Sequence, residues 1–215
     1  MTGCAAKLPS DIELNASSNE AVLLMFMQPL DLDYLVDVVT YNAATKQTGN
    51  EVVANNVLFN SNSIAGAHFE AKVVKPGTYV VQSFSRQGHW TLCFHANSYA
   101  FTIAPGQVLT LGRFQPEKHL IELNRSVQAS GQTTAQQYQA FQYFDDVSPP
   151  QLEQAPNGPG SLAEARNFVT KQMSKVHSGV EFAALRPAKF GTGTSILGKT
   201  LCGGLFKKPV SNAVQ

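Results

Sequence analysis

The sequence predicts a mainly β protein: an antiparallel β-sandwich of about seven or eight strands, transthyretin- or immunoglobulin-like in architecture, with a C-terminal helix and an irregular tail. Three observations carry that prediction. Short β-branched and aromatic runs recur between residues 20 and 125, separated by turn residues. Two pairs of runs meet at Pro-Gly, Pro76-Gly77 and Pro105-Gly106, where Pro presets φ and Gly supplies the positive φ of a type II turn. No helical periodicity is read within that stretch, which argues against alternating βαβ units.

The elements follow in chain order. Ala21–Gln28 contains the continuous apolar run Ala-Val-Leu-Leu-Met-Phe-Met, a buried strand far shorter than the roughly 20 residues a membrane-spanning helix needs. Pro29 stops it, since Pro cannot donate to a ladder. Tyr34–Asn42 is β-branched and aromatic, hence a strand. Gly49-Asn50 marks a turn, 51–60 a strand and 60–66 a loop. Phe69–Phe84 reads as a Pro-Gly hairpin, and Tyr99–Phe114 repeats the plan, with Tyr99, Phe101 and Ile103 on one buried face. Between them, Trp90–His95 supplies a strand, and Leu120–Asn124 adds another.

After residue 125 the texture changes. Residues 128–142 are rich in Gln, Ser and Thr, and Pro149-Pro150 and 156–160 mark loops. Ser161 and Glu164 form a capping box that opens a helix, with Leu162, Ala165, Phe168, Val169 and Met173 on its apolar stripe. The organisation expected is a lipid-proximal tether over 1–19, the sandwich over 20–127, a connection with a docked helix over 128–185, and a Gly-rich tail over 186–215.

Composition narrows the chemistry. Charged residues are 14% of the 215, and the formal net charge is +1, so no basic surplus points to nucleic acid. Gly193–Thr200 matches the phosphate-loop pattern Gly-x-x-x-x-Gly-Lys-Thr, with Lys199 and Thr200 as phosphate and metal contacts. Its context opposes that reading, because a broken segment precedes it and Gly203-Gly204 follow where a helix should begin. His89, Cys93 and His95 are near enough for metal ligation, with His68 and His119 as distant partners, but no second ligand pair adjoins them. No Gly-x-Ser-x-Gly elbow occurs, and the pairs Asp31/Asp33 and Asp145/Asp146 flank loops, where Asp serves turns. The expectation is a protein that is not an enzyme and carries no cofactor or metal. Trp90, Phe94 and Tyr99 read either as core or as the wall of a ligand groove.

Cys4, in Thr2-Gly3-Cys4-Ala5, reads as the end of a bacterial lipoprotein signal, trimmed so that its apolar region is gone. The Cys would carry the lipid. Cys93 and Cys202 then remain, either as a disulfide or as two separate thiols. Val73-Val-Lys-Pro-Gly-Thr-Tyr-Val-Val, Phe101-Thr-Ile-Ala-Pro-Gly-Gln-Val-Leu-Thr-Leu-Gly112, the Ala-rich helix from Leu162 and Leu185-Arg-Pro187 together resemble a group of small proteobacterial lipoproteins of unknown function. The resemblance covers roughly residues 20–185 and implies a β-sandwich moored by palmitate-type acylation of Cys4. With Ala5 after the Cys it also implies the periplasmic face of the outer membrane. The expected role is structural or interactive, with an envelope protein as partner. A small-ligand-binding module is the alternative, and a metal- or nucleotide-dependent enzyme a distant third.

Overall fold

The computed structural model describes residues 12–15, 17–49, 56–62, 66–131, 142–145, 147–195, 198, 200–203 and 206–207. The first strands are β1 (Ala21–Met27), β2 (Leu35–Asn42), β3 (Gln47–Thr48), β4 (Val57–Asn60) and β5 (His68–Val74). Next come β6 (Gly77–Arg86), β7 (Trp90–Cys93), β8 (Ser98–Ile103), β9 (Val108–Phe114) and helix α1 (Glu117–Ser130). β10 (Gln142–Phe144) and β11 (Leu152–Glu153) lead to helix α2 (Leu162–Gln172). β12 (Val180–Phe182), β13 (Arg186–Ala188), β14 (Gly193–Thr194), β15 (Thr200–Leu201) and β16 (Phe206–Lys207) complete the order.

The chain is mainly β with a helix toward its C-terminal end, as expected, but its sheets are mixed rather than antiparallel. The first sheet runs β11-β9-β1-β5, with β12 also on β9. The second centres on β6, flanked by β2 on one side and by β7 and β8 on the other, and is extended by β4, β10 and β13. β1 runs parallel to β9, β12 parallel to β9, and β10 parallel to β7. A parallel pair needs a long crossover, and everything from β2 to β8 serves as the connection between β1 and β9. The two Pro-Gly turns are likewise not hairpins. Each carries the chain from one sheet to the other, β5 to β6 across Pro76-Gly77 and β8 to β9 across Pro105-Gly106. Gly106 has φ 72°, the left-handed conformation the turn requires.

One apolar layer lies between the two sheets, with Leu23 and Met25 of β1 meeting Val36, Val81, Phe84 and Leu92 of the second sheet. All seven residues of β1 are buried. Ala21, Leu23, Met25 and Met27 face that layer, whereas Val22, Leu24 and Phe26 belong to a second cluster beneath α2. A strand covered on both faces has no reason to alternate, which explains its unbroken apolar sequence.

α2 forms as its capping box predicts. The Ser161 hydroxyl accepts from the Glu164 N–H at 3.3 Å, and the Glu164 carboxylate accepts from the Gly160 N–H at 2.9 Å. Ala165, Val169 and Met173 are buried against the first sheet. The same cluster contains Ile12 and Leu14, both fully buried. Leu14 donates its N–H to the Lys175 carbonyl and accepts from the His177 N–H. From Ile12 onward, the expected tether is therefore part of the packed domain, because two large aliphatic side chains complete the cover of β1 and α2.

α1 corrects a further expectation: Leu120–Asn124 lies within a helix, not a strand. Leu120, Leu123 and Val127 recur at helical spacing and pack on the shared layer. Pro116, at the N-cap, begins it without wasting a donor, and Gly131 ends it at φ 65°. The tail expected to be irregular instead carries strands among its described residues. β13 pairs antiparallel with β8, Phe190 is buried, and β15-β14-β16 form a small sheet.

Candidate functional site

The region richest in unexplained chemistry is the outer face of the second sheet. β6 pairs with β8 over Gly77–Val80 and with β7 over Ser83–Arg86. At the switch its register against β2 shifts: Asp37 pairs with Ser83, and Val38 with Val81, leaving Gln82 as the extra residue of a β-bulge. The Gln82 carbonyl accepts from the Phe94 N–H at 3.0 Å, which ties the end of β7 to the bulge. One row now crosses four strands: Leu58, Asp37, Ser83 and Cys93 are successive cross-strand partners.

The C-terminal segment straps over part of this face. Phe190 packs on Val39, Val80, Cys93 and Ala100. Its N–H donates to the His95 carbonyl, the Gly191 N–H donates to the Lys46 carbonyl, and the Tyr41 hydroxyl donates to the Lys189 carbonyl. The structure joins Cys93 to Cys202 as a disulfide, with Cα atoms 5.5 Å apart, across 109 positions of sequence.

Beside the strap lies a groove of about 420 Å³. Asp37, Ser83, Ser85 and Thr91 contribute polar groups to it, Leu35 and Leu58 apolar surface, and Tyr143, Leu201 and Cys202 also line it. Ser83 donates its hydroxyl to Asp37 Oδ2 at 2.7 Å. Burial pushes the Asp37 carboxyl above its ordinary pKa, and the Ser83 bond offsets part of that rise. Among the described residues Asp37 makes no ion pair. The Tyr143 hydroxyl is buried without a hydrogen-bond partner.

The residues nominated from sequence are placed as follows. Cys4 lies outside the described residues. Trp90 and Phe94 are core: the Trp90 ring meets Phe84 edge-on at 5.0 Å, and Phe94 meets His119 at 5.1 Å. Tyr99 is half-buried on β8, its backbone paired with Pro187 of β13. These three do not come together as a groove, because Trp90 and Leu92 point into the shared layer while Thr91 and Cys93 point outward. His95 stands 3.5 Å from an Asp145 carboxylate oxygen, and Cys93 is committed to its disulfide. Among the described residues no group of three or more His, Cys, Asp or Glu side chains converges as a metal site would require. In the phosphate-loop match, Thr200 opens strand β15, antiparallel to β14, where that loop requires a helix. Lys199 and Asp146 lie outside the described residues.

The fold also assembles a pair that sequence reasoning did not single out. His119 is fully buried among Phe84, Phe94 and Phe114, with its ring stacked on Phe114. Its Nε2 accepts from the Gln151 N–H at 3.1 Å, so Nδ1 carries the proton and donates to Glu122 at 3.2 Å. Burial pushes His119 below its ordinary pKa, more than Glu122 raises it. Burial would raise Glu122, but hydrogen bonds from Ser148 and His119 outweigh it and hold the carboxylate low. Both imidazole nitrogens are engaged, so this is a structural pair with no free base. Its only sequence signal is the i, i+3 spacing, visible once the segment is read as helix.

No known protein-family model, curated protein or solved structure matches the chain. Among the described residues no helix is long and apolar enough to cross a membrane.

Proposed function

We propose that this chain is an exported protein of the bacterial envelope, lipid-anchored through Cys4, with a structural or protein-interaction role. The observation that carries the reading is the Cys93–Cys202 disulfide, which fastens the C-terminal strap to the second sheet. Such bonds persist in oxidising compartments and are rare where glutathione keeps thiols reduced. Cys4 then stands alone as a cysteine available for acylation, ahead of a domain whose packing is already under way at Ile12. Two sheets facing each other across one apolar layer support the sandwich architecture of the lipoproteins this sequence resembles. Sorting to the periplasmic face of the outer membrane belongs to the same proposal, on Ala5.

Metabolic labelling tests the anchor. The chain is expressed in a Gram-negative bacterial host behind a lipoprotein export signal, and cells are fed an alkyne-bearing palmitate analogue. Label that is retained in membranes and lost in Cys4→Ser is expected. Unlabelled protein whose Cys93 and Cys202 thiols are both free would refute the reading.

A further inference from the structure

Asp37 poses a physical problem that the proposed role leaves untouched. It sits on β2 between β4 and β6, and among the described residues its carboxyl receives one hydrogen bond, from Ser83. An ionised carboxylate offers about four lone-pair sites, so most of its accepting capacity is unused. The chain has 16 Lys and Arg residues, yet among the described residues none pairs with it. Partly desolvating a carboxylate without a cation is costly, so a half-buried one facing a groove with no described ion pair calls for an explanation. The groove supplies one. At about 420 Å³ it is within the range of small-ligand sites, and Asp37 is the only charged residue among the described residues lining it.

The surroundings specify what fits. Ser83, Ser85 and Thr91 line the groove, so their hydroxyls add acceptors to the carboxylate oxygens. Leu58, Asp37's cross-strand partner, is 39% exposed, and Leu35 shares β2 with it on the same face. These two offer apolar surface to an alkyl stem. The Tyr143 hydroxyl, buried and unpartnered, is a further polar group at the lining that water or a ligand would satisfy. A compact head with three donors on an aliphatic stem is an alkylammonium group. We infer that this groove binds a small aliphatic amine, its ammonium held by Asp37 and the neighbouring hydroxyls and its alkyl chain laid along Leu35 and Leu58. The inference is independent of acylation at Cys4 and needs only the Cys93–Cys202 bond that holds Leu201 and Cys202 at the groove.

Isothermal titration of the oxidised protein at low salt tests it, with 1,4-diaminobutane as probe, 1,4-butanediol as its uncharged counterpart and Nα-acetyl-lysine methylamide as a peptide-like comparator. Saturable binding of the diamine, none of the diol, and a loss of affinity of at least about tenfold in Asp37→Asn are expected. Thermal melting separates a binding role from a structural one: Asp37→Asn should melt at the same temperature or higher, since it removes a half-buried carboxyl with no described ion pair. A second variant does not depend on that one folding. Leu58→Lys places an ammonium directly across the ladder from Asp37 and should exclude the diamine while leaving the fold intact. No saturable binding, equal binding of diol and diamine, or unchanged affinity in either variant overturns the inference. Binding of the lysine derivative alone overturns the small-molecule assignment.

Discussion

Breaking the disulfide is the most informative single perturbation. The bond closes a loop spanning 109 positions, and loop-closure entropy for a crosslink of about 100 residues has a ceiling of about 4.7 kcal/mol. The native strap lowers the expectation. Without the bond it keeps Phe190, worth about 1.5–3 kcal/mol of burial, and hydrogen bonds worth about 0.5–1.5 kcal/mol each. Against these stands an ordering cost of about 1–2 kcal/mol per residue, so a strap released from Cys93 can detach before the sheets separate. Detachment relieves part of the penalty, and the expected loss is about 2–4 kcal/mol. In a domain of this size that lowers the melting temperature by roughly 4–16 °C. Urea unfolding of the oxidised protein, the dithiothreitol-reduced protein and the Cys93→Ala/Cys202→Ala variant measures it. Trp90 is the only tryptophan and lies in the shared core, so its fluorescence reports global unfolding. Thiol titration of the unreduced, unacylated protein should find one free cysteine of the three, Cys4. Midpoints that agree within about 0.5 kcal/mol, or three titratable thiols, would refute the reasoning.

Two further outcomes follow from the packing. Folded His119 binds its proton more weakly than the unfolded chain, whose His titrates near 6.5, so its contribution to stability is constant above about pH 7 and falls as pH drops through about 6.5; the raised Asp37 carboxyl contributes with the opposite sign, and the Asp37→Asn background removes it. The slope from His119 reaches at most about 1.4 kcal/mol per pH unit and is measured by unfolding midpoints at pH 7 and 5, while the low-held Glu122 adds the same sign below its ordinary range, measured between pH 5 and 3. Leu14→Ala should cost about 2–5 kcal/mol by chemical denaturation, because Leu14 is fully buried beside α2, whereas a solvated tether residue would change stability by less than about 0.5 kcal/mol.

Sequence period reveals what lies along a strand and little about what lies across it. The second strand, β6 and β8 were legible because β-branched and aromatic residues repeat there between turn residues. Pro105-Gly106 was legible as a turn but not as a crossing between sheets, since the same two residues serve a hairpin or an arch and only the partners of β8 and β9 decide. Leu120–Asn124 reads as a strand because five residues are too few to separate period 2 from 3.6; extending the window to Val127 and Gly131 exposes the helix. The groove was missed for a different reason. Asp37 stands between valines in an ordinary strand, and only the bulge at Gln82 and the strap ending at Cys202 leave it facing a partly enclosed space. Trp90 and Phe94, by contrast, were conspicuous in the sequence and turned out to be core.

The enclosure of β1 on both faces has a cost before the fold exists. Its partner β5 begins some 40 residues later and β9 some 80 residues later, so β1 leaves the ribosome long before anything can cover it. Ala21–Met27 has no charge, no Pro and seven consecutive apolar residues, the profile of a segment that self-associates when exposed. A chain crossing a membrane unfolded would carry that segment bare for the whole transit. The strand that is most completely protected in the finished protein is thus the one for which a holding chaperone has the most to do during biogenesis.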